Sequence, residues 1–79
     1  MELEIEDKLQ EYYQNCIIEV EFIDFRKYKI IVKIETKNET FIKSIEYLYD
    51  SKLTFKANID TIIDIINKKI IIPFYMKGE

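Results

Sequence analysis

Residues 16–36, CIIEVEFIDFRKYKIIVKIET, carry the clearest alternation of apolar and polar positions in the chain. Cys16, Ile18, Val20 and Phe22 fall on one face, and Glu19 and Glu21 on the other. Further on, Ile30, Val32 and Ile34 alternate with Ile31, Lys33 and Glu35. A period of two among β-branched and aromatic residues predicts two strands, each with one buried face. The outward faces carry acids on the first strand and mainly lysines on the second, which favours cross-strand pairing. Residues 24–28 lack the Asn-Gly or Asp-Gly of a tight two-residue loop. A longer connection is expected there, which either presents Phe25, Arg26 and Tyr28 at its tip or folds Phe25 and Tyr28 back on the sheet.

The flanking stretches change period. Over residues 3–14, Ile5, Leu9, Tyr12 or Tyr13, and Cys16 make a helical stripe. Acids crowd its first turn, where the helix dipole favours them. Asn15 is suited to end it in a left-handed conformation. Lys37-Asn38-Glu39 reads as a turn. Residues 40–49, TFIKSIEYLY, fit either period, and their β-branched and aromatic content favours a strand. Asp50-Ser51-Lys52 would then turn into a short fourth strand over residues 53–57. Asn58 reads as an N-cap. After it, Ile59, Ile62, Ile63, Ile66 and Ile70 repeat at helical spacing, predicting a helix over residues 59–68. Residues 70–72 either extend it or form a short last strand, and Pro73 is expected to stop both. Residues 77–79 are expected to fray.

The order predicts an α+β fold: an N-terminal helix, a three- or four-stranded antiparallel β-meander and a C-terminal helix, in one domain over residues 1–79. Seventeen Ile, five Phe and six Tyr among 79 residues supply an apolar core for so short a chain. One Cys allows no internal disulfide and fits a reducing compartment. The acidic first residues do not resemble a secretory leader, and no apolar run is long enough to span a membrane. A soluble, cytoplasmic protein is expected.

Net charge is −3, unevenly placed. Residues 1–25 hold eight acids and one base, and residues 26–43 hold six bases and two acids. Such asymmetry either steers a partner or pairs up between neighbouring elements on a solvated surface.

Catalytic options are few. The chain has no His, one Cys and one Gly. Zinc-cysteine clusters, Ser–His–Asp or Cys–His pairs and glycine-rich phosphate loops are therefore excluded within one chain. No cofactor is called for. Cys16 reads as a small core residue. Asp60 and Asp64 lie one helical turn apart, which suits a shared hard cation less well than a solvated helix face.

Asp24 at the end of the first strand and Glu35-Thr36-Lys37 at the end of the second resemble the metal-binding constellation of PD-(D/E)xK nucleases. No Pro precedes Asp24, however, and simple antiparallel pairing separates Asp24 from Glu35. Helix, three strands, helix is also similar to the order of double-stranded-RNA-binding domains, with Lys27, Lys29, Lys33, Lys37 and Lys43 to follow a backbone. The negative net charge opposes that reading, so direct nucleic-acid binding is not expected. Eleven Lys against one Arg, with abundant Ile, reflects AT-rich coding. Size, acidity and element order together resemble the small accessory proteins of phages and mobile elements, including anti-CRISPR inhibitors. That resemblance implies a non-enzymatic module that binds a host or phage protein, such as one that handles nucleic acid, through carboxylates imitating phosphates. The candidate residues are Glu4, Asp7 and Glu11, with Glu2 and Glu6, on the helix, and Glu19, Glu21 and Asp24 on the first strand. Phe25, Arg26 and Tyr28 form a second candidate surface, because aromatic and Arg side chains dominate binding hot spots. An uncovered sheet edge, or Ile71, Phe74, Tyr75 and Met76, would serve a homodimer.

Overall fold

Helix α1 spans Glu2–Tyr12 and turns Ile5 and Leu9 onto the core, joined by Tyr13 just past its end. The computed structural model describes residues 1–77; of residues 77–79, expected to fray, Lys77 instead ends the last helix, and 78 and 79 lie outside the described residues. Of the two tyrosines offered by the helical stripe, Tyr13 is buried and Tyr12 is exposed. The expected left-handed Asn15 is absent, since among the described residues the one non-Gly residue with positive φ is Phe25. The end of α1 is closed instead by Gln10, whose amide donates to the carbonyls of Tyr13 (2.7 Å) and Cys16 (2.8 Å).

Three strands follow: β1 (Ile17–Asp24), β2 (Lys27–Glu35) and β3 (Thr40–Leu48). They form an antiparallel sheet in the order β1-β2-β3. Residues 40–49 are thus resolved in favour of the strand. Ile18 pairs with Val32, Val20 with Ile30, and Tyr28 with Tyr47, all facing the helices. Glu19, Glu21, Lys29, Lys33 and Glu46 lie on the opposite face, which no helix covers.

Residues 53–57 form no fourth strand. Helix α2 (Phe55–Ile66) begins there, with Thr54 as its N-cap accepting a 3.1 Å hydrogen bond from the Ala57 N–H. Phe55, Ile59, Ile62 and Ile66 then fall on one face, and tertiary burial of that face outweighs local strand preference. Asn58 is consequently not a cap but a fully buried residue within the helix. Its Oδ1 accepts from the Tyr47 hydroxyl (2.6 Å) and the Asp50 N–H (2.9 Å). Its Nδ2 donates to the carbonyls of Asp50 (2.9 Å) and Thr54 (3.0 Å). Four bonds saturate the buried amide and tie β3, the following loop and α2 together.

The C-terminal helix also runs further than expected. A π-helical turn (Asn67–Ile71) leads straight into α3 (Ile72–Lys77), so Pro73 does not end it. The Ile72 N–H reaches back to the Asn67 carbonyl, one residue beyond α-helical spacing. The wider turn relieves the clash between a proline ring and the carbonyl four residues earlier. The combined rod, roughly 35 Å at 1.5 Å per residue, accounts for most of the molecule's 40 Å long axis. Phe74 secures its end against Phe41 of β3, ring centres 5.0 Å apart. No helix among the described residues is long and apolar enough to cross a membrane.

Candidate functional site

The connection between β1 and β2 is a two-residue turn, not the longer loop expected. Asp24 pairs with Lys27, leaving Phe25 and Arg26 between them. The register shifts between Phe22 and Asp24, which places Ile23 in a bulge. Phe25 takes φ 57°, the left-handed conformation that a glycine ordinarily supplies in such turns. Without a glycine at this position, the geometry had no local signal.

The turn holds its side chains in definite places. Phe25 is 74% exposed, and the Arg26 guanidinium lies over its ring at 4.7 Å. Arg26 Nη1 donates to Ser51 Oγ (2.7 Å), and its carbonyl accepts from the Tyr49 N–H (2.8 Å). The tip is thereby fastened to the loop after β3. Phe22 and Ile23, 50% and 42% exposed, extend the apolar surface along β1. Tyr28, expected at the tip, is not there. It is buried on the helix-facing side, edge-on to Phe22 at 5.6 Å. Burial raises its phenol pKa above the ordinary value.

The acidic residues separate into three groups. Glu2, Glu6 and Gln10 recur every four residues on α1 and accept or exchange hydrogen bonds along β1. Glu2 Oε2 accepts from the Phe22 N–H (2.6 Å), Glu6 Oε1 from Val20 (2.9 Å) and Gln10 Oε1 from Ile18 (2.9 Å). These are the outward N–H groups of an edge strand. Glu2 and Glu6 are therefore taken up by the fold, which corrects their assignment to a partner-facing surface. The second group, Glu19 and Glu21, faces the lysines of β2. Glu19 pairs with Lys33 at 3.1 Å, and Glu21 stands opposite Lys29. Glu4, Asp7 and Glu11 make the third group, an exposed stripe along the solvent side of α1. The amino terminus, 2.8 Å away, holds the Glu4 carboxyl below its usual range. Asp24 is exposed beside the tip.

The lysines proposed to follow a nucleic-acid backbone are partly occupied: Lys33 with Glu19, and Lys27 with Glu46 at 3.8 Å. On the exposed side of α2, Asp60 pairs with Lys56 (3.1 Å), and Asp64 separately with Lys68 of the π-helical turn (3.2 Å). No group of three or more acidic, His or Cys side chains suited to a metal ion occurs among the described residues. An open groove of about 550 Å³ between α1 and α2 is floored by Phe55, Ile59 and Ile63, with Glu11 at its rim.

Searches against protein-family models, curated proteins and solved structures find no match to this chain.

Proposed function

We propose that this chain is a non-enzymatic protein-binding module that docks through its hairpin tip. Phe25 carries the reading. A large aromatic held in solvent, in a backbone conformation that costs about 1–2 kcal/mol for a non-glycine residue, contributes little to the fold it strains. An exposed aromatic beside a partly buried Arg, on a turn tied to the loop after β3, is the composition of an interface anchor. Asp24 and the stripe of Glu4, Asp7 and Glu11 supply an acidic surround that suits a basic partner surface. A host protein that handles nucleic acid has such a surface. The role fits a small cytoplasmic inhibitor or adaptor from a phage or mobile element, of the anti-CRISPR-like kind. The nuclease arrangement has no support in the geometry, since Asp24 and Glu35 lie at opposite ends of β2, roughly 26 Å apart at strand rise.

The test is affinity capture from a low-GC bacterial lysate with wild type, Phe25→Ala and a Glu4→Lys/Asp7→Lys/Glu11→Lys variant. The expected result is one stoichiometric protein with the wild type. Its affinity should fall roughly 30-fold with Phe25→Ala, as for a hot spot of about 2 kcal/mol. Capture that is indifferent to both variants refutes the site. Nucleic acid in place of protein refutes the class of partner and turns attention to Lys27, Lys29 and Lys33.

A further inference from the structure

The two edges of the sheet are treated differently. The β1 edge is closed by the side chains of α1. The β3 edge is open. The Tyr49 N–H bonds the Arg26 carbonyl, so alternation along an antiparallel ladder turns the odd-numbered residues of β3 toward β2. Ile42, Ser44, Glu46 and Leu48 then point their N–H and C=O groups away, and no hydrogen bond takes these up among the described residues. The strand is nine residues long, with neither proline nor bulge to interrupt it, and Lys43 and Glu46 are its only charged residues.

We propose that β3 pairs antiparallel with β3 of a second copy of this chain, about a two-fold axis at Ile45, to form a continuous six-stranded sheet. The side chains select this occupant and register. With Ile45 opposite its own symmetry mate, Ile42 meets Leu48 of the second copy, twice by symmetry. Both are 56% exposed in the single chain and project from the uncovered face. On the helix-facing side, Ile45 stands opposite fully buried Ile30 yet is itself only half-buried. The apolar layer thus runs out at β3, and pairing would continue it. Charge is compatible: Lys43 meets Tyr47, and Glu46, already paired with Lys27 of its own chain, meets Ser44. Registers centred on Ser44 or Glu46 instead set Lys43 diagonal to its mate, or Glu46 directly against its own.

Sedimentation equilibrium over a wide concentration range tests this with the full chain. Wild type is expected to approach twice the single-chain mass as concentration rises. Ser44→Pro removes an outward N–H that β2 does not use, and proline is tolerated on an edge strand. That variant should remain monomeric while keeping the wild-type circular dichroism spectrum. Register is read by oxidative crosslinking in a Cys16→Ser background. Ile45→Cys should link to itself, because directly opposed residues at a non-hydrogen-bonded site lie within disulfide reach. Ile42→Cys should not. A single-chain mass at every concentration, a Ser44→Pro variant as dimeric as wild type, or preferential crosslinking at Ile42→Cys overturns the proposal. If the edge instead takes a strand from a different protein, wild type alone stays monomeric, which is the first of these outcomes.

Discussion

Two residues bear structural roles out of proportion to their size. Asn58 satisfies its whole amide inside the core, so truncation leaves the Asp50 N–H and Tyr47 hydroxyl without their partner. Asn58→Ala is expected to lower unfolding free energy by about 2–4 kcal/mol, the range for stranded buried polar groups, as measured by urea titration. Phe25 is the opposite case, a residue whose conformation works against the fold. Phe25→Gly should leave stability unchanged or raise it by up to about 1 kcal/mol, strain relief being offset by glycine's greater entropy loss. The same substitution should weaken partner binding at least as much as Phe25→Ala, roughly 30-fold. A variant that loses stability and binding together would show that Phe25 is needed for the turn rather than for docking.

The pairing of α1 with β1 depends on a coincidence of repeats. Four helical residues rise about 6 Å and two strand residues about 6.7 Å, so positions 2, 6 and 10 stay nearly in step with the N–H groups of residues 22, 20 and 18. Side-chain acceptors thereby occupy an edge that would otherwise template assembly. Replacing Glu2, Glu6 and Gln10 together with Ala is expected to cost about 3–5 kcal/mol, taking roughly 1 kcal/mol for each of the three bonds to β1 and up to as much for each of the two by which Gln10 closes α1. It should also promote light-scattering aggregates. Glu6→Gln retains an acceptor oxygen and should behave nearly as wild type. Full aggregation resistance in the triple variant would mean that the ladder does not protect the edge. At the other end of the chain, the π-helical turn lets Pro73 sit within a continuous helix. That continuity brings Phe74 back onto Phe41.

The molecule as a whole is two-faced. The helices and the apolar side of the sheet enclose the core, while the other side exposes paired lysines and glutamates. Three core tyrosines, Tyr13, Tyr28 and Tyr47, have phenol pKa values raised above 10.0, chiefly by burial. The shift is largest for Tyr13, whose hydroxyl donates to Asn67 Oδ1 at 2.6 Å and so joins α1 to the C-terminal rod. A raised pKa means that folding favours the neutral phenol. Its contribution is complete below the unfolded value of 10.0 and is lost as pH rises through the higher folded values. Thermal melts should therefore show a falling melting temperature above about pH 10. Tyr13→Phe should flatten that fall even though it lowers stability near neutrality. An alkaline slope identical to wild type would remove Tyr13 as its source.

Periodicity along the chain determined which residues turn inward. Ile18, Val20, Ile30, Val32 and Ile34 are buried where a period of two placed them, and Ile59, Ile62 and Ile66 where a period of 3.6 did. Helix, antiparallel meander and helix followed from that pattern, because burying one face of each element is a local requirement repeated along the chain. Composition also marked the hairpin tip and the acidic stretch as candidate surfaces. Tertiary structure decided which of these residues remain free. The acids of one short segment have three different fates: β1 N–H groups for Glu2 and Glu6, a lysine of β2 for Glu19, and for Glu4, Asp7 and Glu11 an exposed stripe on which Glu4 meets the amino terminus and Glu11 meets Lys8 of the same helix. The same holds for Asn58, capping in local sequence but buried once Tyr47 and the loop after β3 close over it. Phe25 belongs here too, since the strand register forces a left-handed turn at a position with no glycine to announce it. Burial follows from each residue's own chemistry and spacing, whereas hydrogen-bond partners and strain are set by segments far apart in the chain.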